Sequence, residues 1–132
     1  MTRNGFSFIE VIVVCAIIGI LAVAGMTRFY NIKRDAKIAA MEKVVGAVRG
    51  SLSIYRANDM ATNASDGVYP DVLDANPVGA TCSTCFSNIL SGGLYDPAWT
   101  KRSDDTYFYD DGDSFHSYRY DPASGSFNRA NP

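Results

Sequence analysis

Between Phe6 and Met26 the chain runs for 21 residues with one charged side chain, Glu10. At about 1.5 Å per residue this makes roughly 31 Å of helix, the thickness of a bilayer's hydrocarbon core. A segment that is apolar all round cannot be served by one face of a small core, so it calls for lipid or for other helices around it. An isolated carboxylate in such a segment costs about 2.5–3.5 kcal/mol on insertion scales and marks a pairing or functional site. The first question is therefore what answers Glu10.

The residues before the run suggest a partner. Met1-Thr2-Arg3-Asn4-Gly5 is short, polar and basic. A secretory signal would place a small-residue cleavage site after the apolar stretch, in a polar setting. Here Ala22-Val23-Ala24 still lies inside the run. A cut after Gly5 would instead leave the helix attached and create a new α-amino group on Phe6. Glu10 stands one helical turn from that amine and is badly placed to fold back onto it, so the amine of a neighbouring copy fits better. A plain anchor explains the hydrophobicity, but neither the Gly-Phe junction nor the acid.

Gly5, Phe6 and Glu10, followed by V-I-V-V-C-A-I-I-G-I-L, resemble the N-terminus of type IV prepilins and type II secretion pseudopilins. The resemblance covers residues 1–57. It implies that residues 1–5 are a leader, cut after Gly5 by a membrane-embedded prepilin peptidase that also methylates the Phe6 amine. Glu10 would then help dock incoming subunits. The implied partners are further copies or related pilin subunits, an inner-membrane assembly platform with its ATPase, and membrane lipid before assembly. The implied location is the bacterial inner membrane, with the C-terminal domain in the periplasm, and then a pilus or pseudopilus. One departure stands out: Thr27 occupies the place where many relatives have a kinking Pro, although Gly19 and Gly25 each weaken a helix by about 1 kcal/mol relative to Ala.

Charge divides the chain in two. Residues 1–57 carry 8 Lys/Arg against 3 Asp/Glu, and residues 58–132 carry 4 against 11. An acidic C-terminal half argues against nucleic acid as a partner. Arg28, Lys33, Arg34 and Lys37 follow the apolar run directly; by the positive-inside rule they favour a cytoplasmic C-terminus, whereas the resemblance implies the reverse.

Beyond the run, Phe29, Ile32, Ala36, Ala40, Val44, Val48, Leu52 and Tyr55 recur at three- and four-residue steps, and no Pro interrupts residues 6–57. One continuous helix is expected, with a membrane or filament-core part (6–26) and an amphipathic continuation (27–57). Residues 58–81 read as a loop and residues 86–90 as a short helix stopped by Gly92-Gly93. Thr106-Tyr107-Phe108-Tyr109, the segment 115–120 and Ser126-Phe127-Asn128 read as strands, giving a three- or four-stranded antiparallel meander over residues 58–132. The expected fold class is α+β, with Trp99, Tyr95 and Pro97 between sheet and helix.

Cys82-Ser83-Thr84-Cys85 has three readings. A structural disulfide suits an oxidising compartment; a redox pair would want a βαβ setting, which the pattern lacks; half a zinc site would need His116 and a carboxylate to complete it. Cys15 reads as a small packing residue. Asp110, Asp111 and Asp113 form a hairpin turn that is a weak calcium candidate, and no cofactor is otherwise expected. Asn63-Ala64-Ser65 matches a glycosylation acceptor, a triplet common by chance. With no nucleophile and base at a catalytic spacing, catalysis is not expected. The leading reading is a filament subunit; the rival is a membrane-tethered binding or redox module using Cys82 and Cys85.

Overall fold

The computed structural model describes residues 5–130, apart from the side chain of residue 27. A single helix, α1 (Phe8–Asn63), is followed by β1 (Thr81–Cys85), β2 (Leu94–Lys101), β3 (Thr106–Asp110), β4 (Phe115–Asp121) and β5 (Ser126–Arg129). The strands form one open antiparallel sheet in the order β1-β2-β3-β4-β5. This is the pilin-like α+β arrangement that the sequence led us to expect, with five strands in place of three or four. The chain divides into two compact units, Met1–Ala36 and Lys37–Pro132. The first contains the apolar part of α1; the second contains the rest of α1 and the whole sheet.

In the second unit, the helix residues Met41, Val45, Val48 and Leu52 are buried, with Ile38 and Val44 packed partly against the same core. Their spacing alternates three and four, so from Ile38 to Leu52 the seam drifts by only about 40° at roughly 100° per residue. The expected stripe took successive steps of four from Ile32 to Leu52 and thereby wound about 200° around the helix. It therefore passed over Met41 and Val45; Tyr55, also expected on the stripe, is 39% exposed although it continues the observed seam by a step of three.

The facing sheet surface is aromatic. Alternation turns Tyr107 and Tyr109 of β3, Tyr118 and Tyr120 of β4, and Phe127 of β5 inward. Trp99 from β2 completes the layer, with its ring centroid 5.2 Å from Tyr109 and 5.7 Å from Tyr118. Such ring pairs each add about 0.5–1.5 kcal/mol beyond the area they bury. The Trp99 indole N–H is buried and has no acceptor among the described residues, a cost of about 1–3 kcal/mol that the aromatic packing must offset. Tyr95 and Pro97, expected in this core, are both exposed, Tyr95 at 83%: strict alternation would set them on the face of Trp99, but the pairing of β2 with β1 is irregular there, with register shifts on either side of Cys82.

The helix expected at residues 86–90 is absent; one tight turn replaces it. The carbonyl of Phe86 accepts from the N–H groups of Ile89 and Leu90 at 3.1 and 2.8 Å. Phe86 itself adopts a left-handed φ of 62°, a conformation that costs a bulky residue about 1–3 kcal/mol. Two things hold it there. Its N–H donates to the Asp74 carboxylate at 2.9 Å, and its ring is buried against Tyr107, Trp99 and Phe127. Gly93 closes the β1–β2 turn at φ +68°, where a Cβ would lie 3.0 Å from the Thr84 carbonyl oxygen.

Candidate assembly site

The N-terminal unit presents the features of a self-association surface. Every residue from Phe6 to Met26 is exposed in the isolated chain. The most apolar 18-residue window of α1 has a mean hydropathy of 2.8, and none of it is buried. By length and composition, α1 is thus long and apolar enough to cross a membrane. Phe6 and Phe8 are 83% and 82% exposed, and the ring of aliphatic side chains beyond them continues through Val23 and Met26. An apolar surface of this extent is stable only when lipid or other protein covers it.

Gly5 and Phe6 lie just before the helix and are exposed; residues 1–4, the rest of the expected leader, are outside the described residues. The Ser7 carbonyl accepts from the N–H groups of Glu10 and Val11 at 3.0 and 3.3 Å, so Ser7 occupies the cap of α1 and Glu10 its first turn. Ser7-Phe8-Ile9-Glu10 has the spacing of a capping box, in which an acid three residues after a Ser closes the helix start. The helix dipole favours a carboxylate there too. The sequence carries this spacing as S-x-x-E, and a reading centred on charge pairing passes over it. Cys15 is exposed on the apolar helix rather than packed inside the monomer.

The other candidate residues have structural employment. Cys82 and Cys85 form a disulfide. Both are buried in β1, and the Cys85 sulfur accepts from the Asn76 side-chain amide at 3.2 Å. A redox pair needs an attacking sulfur open to its substrate, and here the sulfurs face the core. Replacing both cysteines by Ser is expected to lower stability by about 2 kcal/mol while leaving assembly intact. Chemical denaturation of the detergent-solubilised chain reads the first effect, and electron microscopy of sheared fibres reads the second.

Asp111, one of the three calcium candidates, is committed elsewhere. Its Oδ1 accepts from the N–H groups of Asp113 and Ser114 at 2.8 and 2.7 Å, and its Oδ2 lies 2.7 Å from His116 Nε2. These hydrogen bonds, His116 first, hold the Asp111 carboxyl well below the usual carboxylate range. The Asp110 side chain accepts from the Gly112 N–H at 2.8 Å. Among the described residues, no group of three or more His, Cys, Asp and Glu side chains converges as a metal site, so the zinc reading of Cys82, Cys85 and His116 has no geometric support.

The fold also assembles a cluster that the sequence did not reveal. Ser114, Asp111, His116 and Arg129 meet at the β3–β4 turn. Arg129 Nη2 lies 2.7 Å from His116 Nδ1. A guanidinium only donates, so Nδ1 accepts and the proton sits on Nε2, directed at Asp111. The arrangement contains the residue types of a hydrolytic triad in the wrong order: Ser114 Oγ donates to Asp111 at 3.0 Å, and the histidine nitrogen that would take its proton is already bonded to the acid. The cluster pins the turn. The Asn63 glycosylation triplet is likewise engaged, with the Asn63 amide and Ser65 hydroxyl both donating to Asp59.

Residues 1–26 match the family model for the prokaryotic N-terminal methylation motif. Over 106 residues the chain is 28% identical to the type IV narrow pilus major component PilA5 of Thermus thermophilus, spanning 80% of this chain and 77% of that protein. No solved structure gives a significant match. The motif and the pilin relative, together with an apolar helix leading into an antiparallel sheet, support membership of the type IV pilin family. Within that family they support a pilus subunit anchored through its N-terminal helix.

Proposed function

We propose that the chain is a structural subunit of a type IV pilus-like filament, cut between Gly5 and Phe6 by prepilin peptidase, methylated on the Phe6 amine and polymerised through residues 6–26. The observation that carries this reading is an apolar helix exposed on every side, with one acid in its first turn and a Gly-Phe junction directly before it. Before assembly the helix lies in the inner membrane with the sheet unit in the periplasm. On assembly it exchanges lipid for neighbouring helices under the drive of the platform's ATPase, and the Phe6 amine of one subunit meets Glu10 of another. Similarity to a pilus component favours a pilus over a secretion pseudopilus.

Intact-mass analysis of native protein tests the processing step. The expected product lacks residues 1–5 and carries one methyl group on Phe6. Gly5→Phe is expected to leave full-length precursor in the membrane, because the bulkier residue fills the site of the cut. Native protein that retains residues 1–5 would overturn the reading.

A further inference from the structure

Just past the apolar run, three basic side chains are spaced around α1 rather than gathered on one face. With Arg28 taken as the origin, Lys33 and Arg34 lie at roughly 140° and 240° at about 100° per residue. The gaps are therefore roughly 140°, 100° and 120°. All three side chains are exposed, and none enters an ion pair among the described residues. Between 27 and 36 the only other charged residue is Asp35, near the azimuth of Arg28 but about two turns further on. Interleaved with the charges are Phe29, Tyr30 and Ile32, exposed at 69%, 59% and 63%.

This pattern fits one kind of partner. A folded protein or a flat polyanion approaches a helix from one side and would select charges on that side. A ring of charge suits a surface that surrounds the helix, as a layer of headgroups surrounds a membrane span. The depth agrees: from Phe8 to Arg28 is 20 residues, about 30 Å of rise, so Arg28 emerges where the hydrocarbon ends. Aromatic residues at that level are the usual neighbours of headgroups, and long basic side chains reach along apolar surface to place their charge among them.

We propose that Arg28, Lys33 and Arg34 form a collar that binds the phosphates of anionic phospholipids around the helix. The proposal rests on the membrane-held subunit described above, and it also accounts for basic residues on the side of the membrane where the charge rule disfavours them. Each base contributes a few-fold to the affinity for an anionic headgroup layer, so the three together give a preference on the order of 10-fold or more.

Native mass spectrometry of the full chain, released from detergent with phosphatidylglycerol or with phosphatidylcholine of the same acyl chains, reads this preference directly. The expected result is stronger retention of phosphatidylglycerol, lost in the triple variant Arg28→Gln/Lys33→Gln/Arg34→Gln and kept in Arg28→Lys/Lys33→Arg/Arg34→Lys. Equal retention of the two lipids, or a preference that survives in the glutamine variant, overturns the collar. Alkaline extraction of vesicles carrying the same proteins separates the two readings. A chain that resists extraction but shows no lipid preference removes only the collar, whereas a chain released by extraction removes the membrane-held subunit itself.

Discussion

Glu10→Gln is expected to insert into the membrane, lose its leader normally and yield filaments reduced at least about 10-fold. The size follows from burial: leaving one partner of a buried ion pair without the other costs about 3–5 kcal/mol, and every 1.4 kcal/mol is tenfold in an equilibrium. The choice of Gln matters because Glu10 also stands in the first turn of α1, where Gln serves the capping box nearly as well as Glu. Were its place in the first turn its only task, Glu10→Gln would assemble normally and Glu10→Ala would lose about 0.3–1 kcal/mol of helix stability. If it pairs with the Phe6 amine, both variants fail to assemble. Fibre yield by quantitative shearing, set beside the membrane-bound pool, distinguishes these outcomes, and wild-type yield from Glu10→Gln would exclude the pairing.

The second large effect lies in the sheet unit. Lys101→Met is expected to destabilise it by about 3–5 kcal/mol. Lys101 Nζ sits 3.1 Å from Asp74 Oδ1, with both side chains almost wholly buried. Asp74 also accepts from Tyr107 Oη at 2.7 Å, from the Phe86 N–H and from the Asn76 N–H at 3.0 Å. Burial and this carboxylate together push the Tyr107 phenol far above its ordinary range, so it stays a donor at all relevant pH. Removing the lysine leaves the buried Asp74 carboxyl without its cationic partner. The paired replacement Asp74→Leu/Lys101→Met is not expected to recover stability, because it also strips the acceptor that holds Phe86 in its left-handed turn. Urea denaturation followed through the near-ultraviolet signal of Trp99 measures both variants. A loss below about 1 kcal/mol for Lys101→Met would mean that water replaces the missing donor to Asp74.

Legibility in the sequence followed the range of the interactions. The long helix and the strands β3, β4 and β5 were readable because their signals are local: an unbroken apolar run, and aromatic residues alternating with polar ones. β1 and β2 were not. Thr81-Cys82-Ser83-Thr84-Cys85 has no large apolar residue, and Pro97 argues against a strand interior. In the fold, Pro97 is accommodated beside a register shift opposite Cys82, and the Asp96 side chain accepts the Ala98 N–H at 2.9 Å. The false helix at 86–90 had the right spacing, but its first residue is captured by Asp74, 12 positions earlier. Polar residues buried by distant partners were the hardest to see. Lys101 meets Asp74 from 27 positions away, and Arg129 reaches His116 only because β5 pairs with β4. The N-terminal motif around Gly5, Phe6 and Glu10 was legible, and the place of Glu10 in the first turn needed the helix start to be fixed first.

The irregular pairing of β1 bears on how such a chain tolerates crowding. An open sheet has two margins with unpaired backbone groups, and in a polymer many copies hold those margins at very high local concentration, where strand-on-strand sticking could seed amyloid. Here one margin, β1, is broken by two register shifts and staked by the Cys82–Cys85 bridge. The other, β5, is four residues long, and Arg49 of α1 occupies its Phe127 carbonyl at 2.8 Å. Neither rim offers a template to a stranger, which under the proposed assembly leaves cohesion to the oily helix.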